Sequence, residues 1–95
     1  MTQLTQEEIR DEVLSVFEDN EKGFIQFSED VDQIEKSSID FFERKAISIK
    51  NALVNDENIK EEDLESVYIS SIEKLKDQVL SDTKEKVANL AKSLS

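Results

Sequence analysis

The sequence predicts an all-α protein, specifically an antiparallel three-helix bundle with one short and two long helices. The first observation behind this prediction is that the chain of 95 residues contains one glycine and no proline, so few positions favour a break in a helix. The second is that apolar residues recur at helical spacing along three segments. We place these helices at about residues 5–19, 28–54 and 58–94 of a single domain, 1–95.

The first helix has the clearest start signal. Thr5 and Glu8 form a capping-box pattern, in which each side chain can bind the backbone amide of the other residue. Leu4 and Ile9 lie where the two residues of a hydrophobic staple are expected. After this helix Gly23 is free to take a left-handed conformation, and we interpret it as the helix terminator. The segment that follows it, 24–27, is ambiguous between an extended piece and a helical turn.

The second and third helices are predicted from their caps and apolar stripes. Ser28 is a suitable N-cap for the second helix, and Asn58, in a polar turn, is suitable for the third, with Glu61 completing a capping box. The second stripe, which slips near residues 36–38, contains Val31, Ile34, Ile39, Phe42, Ala46, Ile49 and Leu53. The third helix carries two stripes offset by one residue, first Leu64, Tyr68, Ile72, Leu75 and Val79, then Leu80, Thr83, Val87, Leu90 and Leu94. Such a stutter is typical of a bundle more than of a long two-stranded coiled coil.

The unequal helix lengths predict that one end of the bundle is left open. At ~1.5 Å per residue the first helix spans only ~20 Å, against ~40 Å and ~50 Å for the others. Because short turns favour antiparallel neighbours, we expect the first helix to cover the front half of the second and the back half of the third. The other end then has two helices and should bury its apolar surface on another chain. The expected partner-binding residues are Phe41, Phe42, Ile49, Leu53, Leu64 and Tyr68.

The distribution of charge supports this arrangement and limits the partners. The formal net charge is -11, with eleven acids and two cations in residues 1–35 and six acids and one lysine in residues 56–65. The segments 36–55 and 66–95 are slightly basic, so each acidic segment is expected beside a basic one. An acidic surface repels phosphate backbones, which argues against direct nucleic-acid binding. The helices also lack the basic polar face of a membrane-surface helix.

The residue types present argue against catalysis. The chain has no cysteine and no histidine, so thiol nucleophiles, imidazole bases and the usual zinc ligands are excluded. A narrow bundle offers little room for a cleft that could perturb a carboxylate. We therefore expect no enzyme activity, no cofactor and no small-molecule substrate. The lack of cysteine, of a signal peptide and of a membrane-spanning segment favours a soluble cytoplasmic protein.

One segment resembles the calcium loop of EF-hand proteins. If Glu18 is position one, oxygen ligands stand at positions one and three, Gly23 at six, Ile25 at eight and Glu29 at twelve. In that family the glycine makes the sharp turn and the last glutamate binds calcium with both oxygens. Lys22 departs from the pattern at position five, and no second loop with ligand spacing accompanies the first. The resemblance implies a degenerate hand that binds a target helix.

These observations together predict a non-catalytic, acidic protein–protein interaction module, such as an adaptor, a small subunit or an inhibitor. We expect it to dock through the open end of the helical hairpin, on a protein partner or on a second copy of itself. Two alternatives stay open. One is the degenerate EF-hand, and the other is a DNA mimic whose carboxylates imitate phosphates in the basic groove of a nucleic-acid enzyme.

Overall fold

The computed structural model describes residues 3–93, which form a helical bundle. The helices are α1 (Gln6–Val16), α2 (Glu21–Gln26), α3 (Ser28–Val54) and α4 (Glu61–Lys92), and no strand occurs within residues 3–93. The all-α prediction is thus confirmed. The bundle is elongated, with extents of 52 × 18 × 18 Å. Leu94, the last residue of the predicted third stripe, lies outside the described residues.

The first helix begins at the predicted capping box. The Thr5 hydroxyl oxygen accepts a hydrogen bond from the Glu8 amide at 3.2 Å, and the Glu8 carboxylate accepts one from the Thr5 amide at 3.4 Å. The helix ends at Val16, earlier than the predicted residue 19. The Phe17 amide bonds the carbonyl of Leu14 at 3.1 Å, which closes the helix with a tighter last turn.

The predicted role of Gly23 as a left-handed helix terminator is wrong. No residue among 3–93 has a positive φ, and Gly23 lies inside α2, where it is buried. The break falls instead at Asn20, whose side-chain oxygen accepts a hydrogen bond from the Gly23 amide at 2.9 Å and caps α2. An asparagine cap satisfies an amide at the start of a helix without any left-handed residue. The ambiguous segment that follows is helical as far as Gln26.

Two predicted caps are also wrong, because the residues lie elsewhere than at the cap position. Ser28 is already the first helical residue of α3, and Phe27 before it makes no side-chain cap. An N-cap must lie outside the helical conformation, and α2 ends too close to α3 to leave Ser28 there. At α4 the residue before the helix is Lys60, which makes no side-chain cap. Asn58 lies in the preceding turn, where its amide donates to the Asp56 carboxylate at 2.9 Å.

The short first helix contacts both long helices. Two salt bridges join it to α4: Glu8 contacts Lys76, and Glu12 contacts Lys84 at 3.9 Å. Because the residue numbers rise together in the two pairs, α1 and α4 run in the same direction. These two contacts lie between Lys76 and Lys84 of α4, so they span only part of its length.

The two long helices pack against each other in opposite directions. Near the middle of α3, Oγ of Ser38 lies 2.6 Å from Oγ1 of Thr83 in the buried interface. Towards the turn, Leu53 of α3 and Leu64 of α4 line one cavity. Within residues 3–93 no buried side-chain nitrogen or oxygen lacks a hydrogen-bond partner, so the polar groups between the helices are satisfied.

The core lies where α1 covers α3 and α4. Its buried apolar residues are Leu4, Ile9, Val13, Phe17, Val31, Phe42, Ile72, Leu75, Val79 and Val87. On α3 the buried face runs through Val31, Glu35, Ser38 and Phe42, whose spacings of four, three and four are those of one helix face. Two polar residues, Glu35 and Ser38, therefore occupy the core near residues 36–38, where the predicted apolar stripe of the second helix is interrupted.

We expect Asn20→Ala to destabilise the protein by about 1 kcal/mol, since it removes the cap of α2. The matched control is Asn58→Ala. The sequence predicted Asn58 as a cap, but its side chain makes no hydrogen bond within residues 3–93, so the expected change is less than about 0.5 kcal/mol. Urea unfolding of both variants measures the difference, and equal losses would contradict the assignment of the cap to Asn20.

Candidate functional site

An ion pair between Arg10 and a buried glutamate holds α1 on α3. The Glu35 side chain is fully buried, and both of its carboxylate oxygens bind Arg10. Oε2 accepts from Nε at 2.8 Å and Oε1 accepts from Nη2 at 2.7 Å, while the same Nη2 donates to Asp32 at 2.6 Å. Hydrogen bonding to Glu35 raises the pKa of Arg10. Such a two-point contact fixes the orientation of the guanidinium as well as its position.

Aromatic rings complete the surroundings of this ion pair. Cζ of Arg10 lies 5.5 Å from the centre of the Phe24 ring, a cation–π distance. The Phe24 ring meets Phe17 edge to face, with ring centres 5.6 Å apart. One arginine therefore joins α1 to both α2 and α3, and it fixes where α1 lies along the hairpin of α3 and α4.

The ion pair is not predicted from the sequence, because glutamate is almost never fully buried unless it is paired. Two signals were present. Arg10 is one of only two cations in residues 1–35. Glu35 stands four residues after Val31 and seven before Phe42, which is the spacing of a core position on the same helix face.

All salt bridges within residues 3–93 involve α1, and we call the part of the molecule that α1 covers the closed end. Besides the pairs of Arg10, they join Glu8 to Lys76 and Glu12 to Lys84. The hydrogen bond from Lys76 lowers the pKa of Glu8. The acids of α1 are thus partly neutralised by lysines of α4, as the charge distribution of the chain led us to expect.

The opposite end of the hairpin is not covered. We call residues 47–68, which are the end of α3, the turn and the start of α4, the tip. None of these residues is buried, and Ile47 and Val54 are 62% and 59% exposed. Two helices cannot enclose a core, because each apolar face needs a neighbour on more than one side.

The tip contains an open cavity of about 310 Å³ between its two helices. The cavity is lined by Lys50, Leu53, Val54, Glu61, Leu64, Glu65 and Tyr68. Three of the predicted partner-binding residues, Leu53, Leu64 and Tyr68, are therefore brought together. All three are half-buried, so their side chains are partly accessible from solvent.

The other three predicted residues do not line this cavity. Phe42 is 3% exposed and belongs to the core, so it offers a partner almost no surface. Phe41 lines a separate groove of about 570 Å³ with Ser38 and Thr83. Ile49 is half-buried and packs against the core. Phe41 and Phe42 diverge because successive residues on a helix point about 100° apart.

The acids of the tip form no salt bridge with any cation among residues 3–93. Residues 56–65 contain six acids and one lysine, and within residues 3–93 none of these acids forms a salt bridge. Lys50, which lines the cavity beside Glu61 and Glu65, forms none there either. The expected neutralisation of this acidic segment by residues 36–55 is therefore not made through ion pairs, in contrast to the closed end.

The segment that resembles a calcium loop has a different conformation. Its central residues form α2, and the carboxamide oxygen of Asn20, at ligand position three, caps that helix. Within residues 3–93 no group of three or more His, Cys, Asp or Glu side chains is arranged to hold a metal ion. No helix among these residues is long and apolar enough to span a membrane.

Comparison with known proteins identifies no relative of this chain. No protein-family model matches the chain, and no curated protein or solved structure is significantly similar to it. In the tip, accessible apolar side chains line an open cavity together with Glu61 and Glu65, which form no salt bridge within residues 3–93.

We expect Arg10→Met to destabilise the protein by about 3 kcal/mol, because it leaves the buried Glu35 carboxylate without its partner. The double variant Arg10→Met/Glu35→Met should be more stable than Arg10→Met alone, because no buried charge remains. Urea unfolding of the single and double variants gives both values.

Lys84→Met is the matched control for this prediction. It removes an exposed partner that lies 3.9 Å from Glu12, and such pairs contribute at most about 1 kcal/mol. If Arg10→Met costs no more than Lys84→Met, the ion pair with Glu35 does not hold α1 in place.

Proposed function

We propose that this protein is a non-catalytic protein–protein interaction module, built as an antiparallel three-helix bundle, that docks on its partner through the tip. Adaptors, small subunits and protein inhibitors act in this way. One observation carries the proposal: the cavity between Leu53, Leu64 and Tyr68 presents mainly apolar surface and is open to solvent. Burial of such a surface is the dominant favourable contribution in most protein associations.

The free energy available at the tip supports docking. Leu53 and Leu64 are half-buried, and complete burial of a leucine side chain stabilises by about 1.5–3 kcal/mol relative to full exposure. A partner that closed the cavity would therefore recover part of this energy for each residue. Exposed Val54, 59% accessible at the edge of the same cavity, extends the apolar surface that a partner could cover.

The chemistry of the closed end supports a non-catalytic role. Glu35 is the fully buried carboxylate of the described residues, yet both of its oxygens bind Arg10, so neither is free to accept a proton from a substrate. Ser38 and Thr83 bond to each other, and the chain has no histidine to activate a hydroxyl. The absence of cysteine suits a reducing compartment, and we place the protein in the cytoplasm.

Neither alternative function gains support from a specific contact. An EF-hand needs an open loop where this chain has the helix α2. A DNA mimic binds through its carboxylates alone and makes no use of the open apolar cavity at the tip, which is the feature that favours docking through apolar contacts.

We expect Leu64→Asp to abolish binding of the natural partner, because it places a carboxylate in the apolar cavity. Position 64 lies in the first turns of α4, where a negative charge suits the helix dipole, so the variant should remain folded. Affinity capture from source cells with quantitative mass spectrometry, together with light scattering of the purified protein, measures the loss of a partner or of a dimer. The captured partner should fall at least about tenfold.

Ile25→Asp is the matched control. Ile25 is 71% exposed on α2, far along the chain from the tip, and the substitution adds the same charge. The control should retain the partner that Leu64→Asp loses. If both variants capture the same proteins as the unmodified chain and all three are monomers, the tip is not a docking site.

A further inference from the structure

The cavity at the tip belongs to a longer groove that starts at the N-terminal end of α1. A second cavity, of about 370 Å³, is lined by Gln3, Phe42, Glu43, Ala46, Ile47, Lys50 and Tyr68. Lys50 and Tyr68 also line the cavity of the tip, so the two cavities adjoin at these residues, and we treat them as one tip groove. The groove therefore runs along α3 and the start of α4 from Gln3, which precedes α1, to Leu53 and Leu64.

The shape of this groove suits an α-helix. At the closed end α1 contacts both α3 and α4, and the groove continues from its first turn. From Ala46 to Val54 the groove follows α3 for about 12 Å, which is roughly two helical turns. An amphipathic helix fills such a groove with apolar residues at positions i, i+3 or i+4, and i+7.

The charge around the groove selects the kind of helix. Glu43, Glu61 and Glu65 line it, against one cation, Lys50, and the acids of residues 56–65 form no salt bridge within residues 3–93. A second copy of this chain would bring the same unpaired acids against them, and like charges in contact are unfavourable. At the closed end the equivalent contact is made between opposite charges, Glu8 with Lys76.

We propose that the occupant of the tip groove is a basic amphipathic helix of another protein, with apolar residues in the groove and lysine or arginine beside Glu61 and Glu65. This inference rests on the proposed docking function and adds the chemistry of the partner. Arginine is well suited to such a position, because its guanidinium binds a carboxylate at two points and packs on an aromatic ring such as Tyr68.

Three synthetic amphipathic peptides of about four helical turns test the inference, with leucine on one face and lysine, glutamine or glutamate on the other. Each is titrated into the ¹⁵N-labelled protein, and amide shifts locate the binding site. We expect the lysine peptide to bind most tightly, with shifts confined to residues 42–68 and to residues 3–5, which precede α1. Its affinity should fall at least about tenfold between roughly 0.05 and 0.5 M salt, because salt screens the attraction between its lysines and the carboxylates of Glu61 and Glu65.

Two double variants distinguish the effect of Glu61 and Glu65 from the effect of the net charge of the protein. Glu61→Gln/Glu65→Gln should weaken the lysine peptide about threefold to tenfold, whereas Glu18→Gln/Asp19→Asn, which removes two exposed acids between α1 and α2, should change its affinity less than about twofold. Equal losses in the two variants would overturn the inference. Shifts spread over α1 and α2, or equal binding of the glutamate peptide, would overturn it as well.

Two results distinguish a partner of different charge from the absence of docking at the tip. If the glutamine peptide binds in the groove as tightly as the lysine peptide, the tip docks apolar helices without regard to charge, and only the basic partner is excluded. If none of the three peptides shifts residues 42–68, the basic helix is excluded, and unchanged capture by Leu64→Asp would exclude docking as well.

Discussion

Glu35 is a carboxylate without contact to solvent, and the position of α1 depends on the arginine that neutralises it. Arg10 binds both carboxylate oxygens, bonds Asp32 with the same nitrogen that reaches Oε1, and lies over the Phe24 ring. An unpaired charge at this depth would cost several kcal/mol. A shift of α1 by one turn would separate the two groups by ~5.4 Å. The ion pair therefore sets the register of α1 on α3.

This register decides which part of the hairpin is a core and which part is a surface. With Arg10 at Glu35, the first helix covers the stretch of α4 that contains Lys76 and Lys84, and the described chain reaches only as far as Gln3 towards the tip. Beyond that point no residue from 47 to 68 is buried. Charge follows the same division, since Glu8 and Glu12 of α1 pair with lysines, whereas no acid of the tip forms a salt bridge within residues 3–93. The tip groove is thus a consequence of where α1 is held.

Short-range sequence patterns predicted part of the local structure, whereas most contacts between helices were not predicted. The capping box of Thr5 and Glu8 depends on neighbouring residues only, and it was predicted correctly. The prediction for Gly23 was wrong because glycine can adopt a left-handed conformation but is not required to. Here the Asn20 side chain caps the Gly23 amide, so the turn needs no left-handed residue. The cavity residues Leu53, Leu64 and Tyr68 followed from helix lengths, but Phe42 became core because one face of α3 packs under α1. Glu35 could be placed only by knowing that Arg10 reaches it.

Amide hydrogen exchange tests the central claim most directly, namely that α1 protects one end of the hairpin and leaves the tip uncovered. Exchange reports the free energy of local opening along each helix. We expect the amides of residues 49–54 and 65–68 to exchange at least about a hundredfold faster than those of residues 35–42 and 75–87, because two helices without a core open at lower cost. Equal protection along the whole length of α3 and α4 would show that the tip is closed, and it would contradict this account.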